Sequence, residues 1–489
     1  MSEGLRDIAE FDKPREACGV FGIYTIREDL PVARITVEGI YELQHRGQDA
    51  AGVFINDTLG NMAYLAGNKD VGLVPAVFPD SGRTLDALHA ESTIGVGHVR
   101  YGTVDVKDRR KAFDAAQPLL GEDSIFALAH NGHIENMDEI AESYGLKEEY
   151  MSDSEGLTKV LNKVNESYND IVTSMHEVLP KLEGSYSLCV TDGKRLIGVR
   201  DGTRPLCIGK RKNEDTYVIA SEDSALSVAE ADFVRDIQAG EVVIIDESGI
   251  NSEYIKTPMP EKMCAFEFIY NARGDSTING RNVHLSREDT GRILALEAPA
   301  DADIVIGIPE TGISAAMGYA KEANIPYELG VFRNPYAVRS FISATQEKRE
   351  REVRRKLRPN TSVIADKRLV VVDDSVIRGT TMKAIVSILR EAGANEVHLR
   401  VPSMPYTWPC FAGMDTGRPE ELLARKFDTT EEMKDYLGVD SLAFVSKEGL
   451  IRGIALPLGS LCMACMDGNY PKPVPANVVF RGLLDKVTV

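Results

Sequence analysis

The stretch that most constrains the fold is "RLVVVDDSVIRGTTMKAI", residues 368–385. Leu369 to Val372 form a short apolar, mostly β-branched run, the mark of a strand buried on both faces of a parallel sheet. Two adjacent acids follow, then a loop of small residues with one arginine, then an amphipathic helical pattern. Similar apolar runs recur in "ADIVIGIP", "EVHLRVPS" and "SLAFVS". Helical patterns lie between them in "TGISAAMGYAKEA", "GTTMKAIVSILREAG" and "TTEEMKDYLG". That alternation predicts a doubly wound α/β sheet over residues 259–489.

Residues 18–258 have a different texture. "CGVFGIYT", "STIGVGHVRYGT", "SIFALAHNG", "YSLCVTD", "LIGVRD", "TYVIAS" and "EVVIIDE" read as short strands ended by Gly, Asn or Asp. Helices are expected in "ITVEGIYELQHRG" and over 155–182. Many strands with few helices predict sheets packed on one another between helical layers. At 489 residues the chain is longer than one core usually serves, and the junction is placed at "TPMPEK". The basic run "EKREREVRRKLRPN" (347–360) reads as a solvated helix face.

The net charge of −19 argues against nucleic acid or an anionic membrane as partner. An acidic chain that binds phosphate must do so with backbone N–H groups and a few basic side chains. The 368–385 segment offers both: a loop at a helix N-terminus points its amides at an anion, with Ser375, Thr380 and Thr381 adding hydroxyls. Gly379 lets the backbone approach. Asp373 and Asp374, at a strand's C-terminal end, suit ribose hydroxyls or a hydrated Mg²⁺. Helix capping would explain the two acids alone, but not the whole string. No apolar run is long enough to span a membrane, and the first 17 residues lack a secretory signal. Seven cysteines, an odd and sparse set, point to the cytoplasm.

This loop resembles the 5-phosphoribosyl-1-pyrophosphate (PRPP) motif of type I phosphoribosyltransferases. The resemblance implies that Asp373 and Asp374 hold the ribose diol and metal. Ser375, Arg378, Gly379, Thr380 and Thr381 would hold the 5-phosphate. A second glycine turn, "IGIPETGISAAMGYA", would receive pyrophosphate through Glu310 and Gly312, with Thr311 near the Mg²⁺ and Arg333 contributing from the following segment.

In the first half, "LQHRGQDAAG", "GHVRYGT", "AHNGHIEN" and "SDSE" resemble the motifs of class II glutamine amidotransferases. These are N-terminal nucleophile (Ntn) hydrolases, with an αββα sandwich. The resemblance makes Cys18, in "EACGVFGIY", the nucleophile and its own α-amine the base, whose reference pKa of about 7.7–8.0 suits proton transfer near neutrality. An amide nitrogen is no base, so residues 1–17 are expected to be a removable propeptide. Arg100 would grip the α-carboxylate of glutamine and Asp153 its α-ammonium, with Arg46 and Thr103 completing the pocket. Asn131 and Gly132 would form the oxyanion hole. His45, His98, His130 and His133 are read as structural hydrogen bonders.

Cys264, Cys410, Cys462 and Cys465 could hold zinc or an iron–sulfur cluster on ligand count alone. Their segments, "KMCAFEFIYNARGDS", "WPCFAGMDTG" and "LCMACMDG", resemble those of amidophosphoribosyltransferases that carry a [4Fe–4S] cluster. Cys189 and Cys207 read as buried core. Over about residues 16–475 the chain resembles that family. The implied substrates are glutamine and PRPP, and the implied product is 5-phosphoribosylamine, opening de novo purine synthesis. A homo-oligomer, dimer or tetramer, is also implied. Glucosamine-6-phosphate synthase and asparagine synthetase share the first-half motifs but lack the phosphate loop, and a PRPP-binding regulator would not need Cys18 with a glutamine pocket. The segment "RNPYAVRSFI" departs from the family pattern at Arg333, Pro335 and Val338, and Glu310 replaces the usual aspartate, so loop closure over PRPP is expected to differ.

Overall fold

A computed structural model describes residues 18–27, 29–59, 62–101, 108–122, 125–146, 150–334, 353–414, 419–457 and 459–472. The expected propeptide, Thr103, Pro335 and Val338 lie outside them.

Alternating strands in the first half stack as two antiparallel sheets, of seven and six strands. Gly19–Thr25 sits mid-sheet in the first, between Ile94–Arg100 and Thr216–Ala220. Ala127–Ile134 and Gly184–Thr191 are neighbours in the second. Val20, Ile94 and Val96 from one sheet meet Ala129, Cys189, Val243 and Ile245 from the other in a shared core. The outer face of the first sheet packs on helix Val32–Glu42 through Phe21, Val53, Ile35 and Ile40. The outer face of the second packs on Asp153–Tyr168 and Ile171–Val178 through Leu128, Leu188, Leu157 and Met175. The layers are therefore α, β, β, α. The helix expected over 155–182 is two helices, because Asn169 turns left-handed (φ +49°) and Asp170 caps the next segment through Thr173 N.

The second half contains a four-stranded parallel sheet in the order Ile304–Gly307, Arg368–Val372, Glu396–Val401, Ser441–Phe444. Alternate residues face opposite helical layers. Val305, Val370 and Val372 pack with Ala316, Leu294 and Leu450, while Ile306, Leu369 and Val371 pack with Ile385, Leu389 and Leu437. In the basic run residues 353–356 are helical, as expected, but Leu357–Pro359 is a strand paired with Val331–Arg333.

Candidate active sites and metal centre

Cys18 stands immediately before Gly19, which pairs with Val99, so Cys18 and Arg100 lie at the same end of adjacent strands. Arg100 is buried, 7% exposed, yet pairs with no carboxylate among the described residues. A buried guanidinium left in that state suits a substrate carboxylate.

The facing sheet supplies the donors. His98 meets the His130 carbonyl at 3.0 Å, joining the sheets one residue before Asn131. Asn131 is 1% exposed, and its Nδ2 has no hydrogen-bond partner. Next to it, Gly132 lies opposite Tyr186, whose carbonyl accepts from Asp201 N on the other side. In an antiparallel ladder that parity turns the Gly132 N–H away from the Gly184–Thr191 strand. The edge strand on the other side, Leu119–Leu120, pairs only with Leu128 and Ala127. Thus two donors, one side-chain and one backbone, are aimed away from the protein's own acceptors. A Cβ on Gly132 (φ +149°) would stand 2.1 Å from the Ser185 carbonyl oxygen, so only glycine fits.

Asp153 opens helix Asp153–Tyr168 and accepts Ile134 N at 2.9 Å, which fixes it beside the Asn131 strand. Burial alone would raise its pKa, but a hydrogen bond from His133 and the charges of His130 and His133 hold it well below the usual carboxylate range. His130 Nδ1 meets Ser154 Oγ at 2.9 Å, and His45 pairs with Glu222 at 2.8 Å. The imidazoles bind neighbouring groups, as the sequence implied.

Arg46 lies beside Cys18. Its side chain is fully buried, donating to Glu222 at 2.6 Å and Glu267 at 3.1 Å, and its Nε donates to the Cys18 carbonyl at 3.0 Å. The last of these bonds ties it to the backbone of Cys18. Glu222, Glu267 and Arg204 were not read from sequence. Glu267 bridges Arg46 to Arg204, and Arg204 stands in the field of Cys264 and Cys410. Glu267 begins a short π-helical turn, Glu267–Asn271.

At the head of the parallel sheet, Asp373, Asp374 and Ser375 are all buried. Ser375 Oγ donates to Asp374 at 2.6 Å, and Thr311 Oγ1 donates to the other Asp374 oxygen. That bond joins the two glycine turns. Gly379 (φ +82°) caps helix Thr380–Glu391, so Thr380 and Thr381 present its first turn. Gly312 begins helix Gly312–Ala323, and a Cβ there would meet the Val372 carbonyl at 2.6 Å. Arg333 and Glu310 approach to 3.8 Å, both exposed. Arg378 Nε donates to Glu421 at 2.9 Å, which orients its guanidinium. Two carboxylates and a hydroxyl are hard oxygen donors that suit Mg²⁺, which commonly takes one or two carboxylates and completes its shell with water and substrate phosphate.

The four thiols also converge. Met263–Cys264 pairs in parallel with Leu461–Cys462, placing Cys264 beside Cys462. The Cys465 carbonyl accepts Thr407 N and Trp408 N, each at 2.9 Å. Cys410 Sγ accepts Ala412 N at 3.3 Å. Burial, with the neighbouring thiols, pushes Cys264 and Cys465 up, and Cys462 up to about 11. Among the described residues no group of three or more such side chains is placed to hold a single metal ion. One zinc would draw every sulfur to about 2.3 Å of one point. Four thiols are a donor set that suits either a structural zinc or an iron–sulfur cluster. Cys189 and Cys207 are buried in the first half's cores.

Comparison with known proteins agrees with this geometry. Residues 107–228 match the glutamine amidotransferase domain and 291–403 the phosphoribosyl transferase domain. Fold and site thus define a glutamine-dependent phosphoribosyltransferase, two enzymes in one chain. The amidophosphoribosyltransferase of Synechocystis sp. is 41% identical over 95% of this chain and 92% of that protein. That of Mycobacterium tuberculosis is 40% identical over 96% and 89%. A solved glutamine PRPP amidotransferase from B. subtilis, complexed with ADP and GMP, superposes with a TM-score of 0.83 at 36% identity, covering 94% of this chain and 98% of that one. The chain belongs to the amidophosphoribosyltransferase family. Among the described residues no helix is long and apolar enough to cross a membrane.

Proposed function

We propose that the chain hydrolyses glutamine at Cys18 and passes the ammonia to C1 of PRPP, releasing pyrophosphate and forming 5-phosphoribosylamine, the opening step of purine synthesis. The observation that carries the reading is the buried, unpartnered Nδ2 of Asn131 beside an outward-turned Gly132 N–H. Donors left without a ground-state acceptor are free to bind an oxygen that becomes charged only during reaction.

In this reading residues 1–17 are removed and the new α-amine takes the Cys18 thiol proton. The thiolate adds to the carboxamide carbon of glutamine, and Asn131 and Gly132 hold the resulting oxyanion. The amine returns the proton to the leaving nitrogen, ammonia departs, and water then cleaves the γ-glutamyl thioester. Arg100 and Asp153 bind the amino-acid end, and Arg46 holds Cys18 through its carbonyl.

In the second half Asp373 and Asp374 bind the ribose diol, the 375–381 loop binds the 5-phosphate, and Gly312 admits the pyrophosphate. Mg²⁺, held by Thr311, Asp373 and Asp374, would neutralise the departing pyrophosphate. Cys264, Cys410, Cys462 and Cys465 would hold a [4Fe–4S] cluster with a structural role.

PRPP-dependent release of glutamate tests the reading. Cys18→Ala should abolish it while ammonia-driven product formation persists. Glutaminase activity surviving in that variant would refute it. Anaerobically purified protein should contain iron and acid-labile sulfide, lost in Cys410→Ser. Stoichiometric zinc in their place would refute the cluster.

A further inference from the structure

The loop that carries Cys410 lies against the Gly132 side of the oxyanion strand. The Ala412 carbonyl accepts from Ser185 Oγ at 2.8 Å and from Arg204 Nη2. Gly413 has φ +88°, and a Cβ there would stand 2.9 Å from Arg204 Nη2, 3.0 Å from the Gly132 carbonyl carbon and 3.3 Å from its Cα. From the other side, the Ser185 carbonyl oxygen leaves no room for a Cβ on Gly132. The Gly132 backbone is therefore packed between two other backbones, with the Arg204 guanidinium, itself held by the Ala412 carbonyl, at the edge of the contact. Within the same loop the Ala412 N–H donates to the Cys410 sulfur, which ties the residue against Gly132's neighbours to the Cys410 end. Close-packed contacts of this kind transmit displacement instead of absorbing it.

We infer that the segment 410–413 is a positioning element for glutamine hydrolysis, holding the Gly132 N–H where the oxyanion forms. Gly413 and Ser185 are positioning residues, since they act through Gly132. The consequence for the molecule is specific. A shift at the Cys410 end is felt first in the glutamine half-reaction, and the PRPP half-reaction is spared. The inference rests on the oxyanion reading of Asn131 and Gly132.

The test uses the full chain, purified anaerobically, with Gly413→Ala and Ser185→Ala compared with Asn131→Leu. Four quantities are read: kcat and KM for glutamine hydrolysis, the ammonia-driven rate, and the thermal midpoint. Misplacing one donor should lower kcat for glutamine in Gly413→Ala by about 10- to 100-fold, part of what losing a donor costs. KM and the ammonia-driven rate should stay within about twofold. Ser185→Ala, which removes one hydrogen bond, should lower kcat by about 3- to 10-fold. The inference is overturned if both variants keep parental kcat while Asn131→Leu loses it, or if glutamine and ammonia rates fall together. Should Gly413→Ala fail to give a folded protein, Ser185→Ala decides alone by the same criteria. An Asn131→Leu enzyme with parental kcat would instead bring down the oxyanion reading itself.

Discussion

Replacing Asn131 by leucine isolates what its amide contributes, because the side chain keeps its branching and loses only polar atoms. In the resting protein Nδ2 is buried without a partner. An orphan donor of that kind costs about 1–3 kcal/mol, so its removal should leave the thermal midpoint level or slightly higher. The reaction should respond in the opposite sense. One oxyanion donor lowers the barrier by about 2.7–4 kcal/mol, and at about 1.36 kcal/mol per decade its loss should reduce kcat by about 10²- to 10³-fold. KM should change by less than about threefold, because the amide has no charged oxygen to bind before attack. Glutamate release gives kcat and KM, ammonia-driven turnover controls for the second site, and calorimetry gives the midpoint. A kcat within about fivefold of the parent, or a midpoint that falls with kcat, would refute the reasoning.

Two further outcomes follow from the same sheets. Asp153→Asn removes the counter-charge proposed for the α-ammonium, so KM for glutamine should rise by about 10- to 100-fold, with kcat nearly unchanged. Steady-state kinetics over a range of glutamine concentrations would check it. His98 is pushed down to about 3 by burial, which outweighs its bond to the His130 carbonyl. The unfolded chain therefore takes up a proton below about pH 6.5 that the folded chain refuses. This part of the stability is complete above that pH and drains as pH falls towards 3, at about 1.4 kcal/mol per unit. Urea midpoints at pH 7 and 5 should separate by less in His98→Gln than in the parent.

The parts legible in the sequence are those written locally. Leu369 to Thr381 place strand, acids, loop and helix within a few residues, and the structure joins them without rearrangement. Sheets packed on one another between helical layers were equally readable, since "CGVFGIYT" and "SIFALAHNG" are short, largely apolar runs and their strands are buried on both faces. What escaped depends on residues far apart in sequence. Glu222, Glu267 and Arg204 look like any surface charges until the two halves meet around Arg46, where burial makes mutual pairing obligatory. The partners of Arg46 went unread for that reason: its motif identified it, but they lie 176 and 221 residues away. Leu357–Pro359 was misread because a run of basic side chains carries no signal of the strand Val331–Arg333 waiting beside it.

The pairing of Met263–Cys264 with Leu461–Cys462 has a consequence for how the molecule is made. Two strands of two residues each, nearly two hundred positions apart, gain too little from their own contact to repay the entropy of closing so long a loop. They can meet only after the intervening parallel sheet has folded and brought their ends together. The sulfur ligands are thus gathered late, on a scaffold already assembled without them. The proposed cluster would then be delivered to a folded recipient and would lock in a shape it did not have to create.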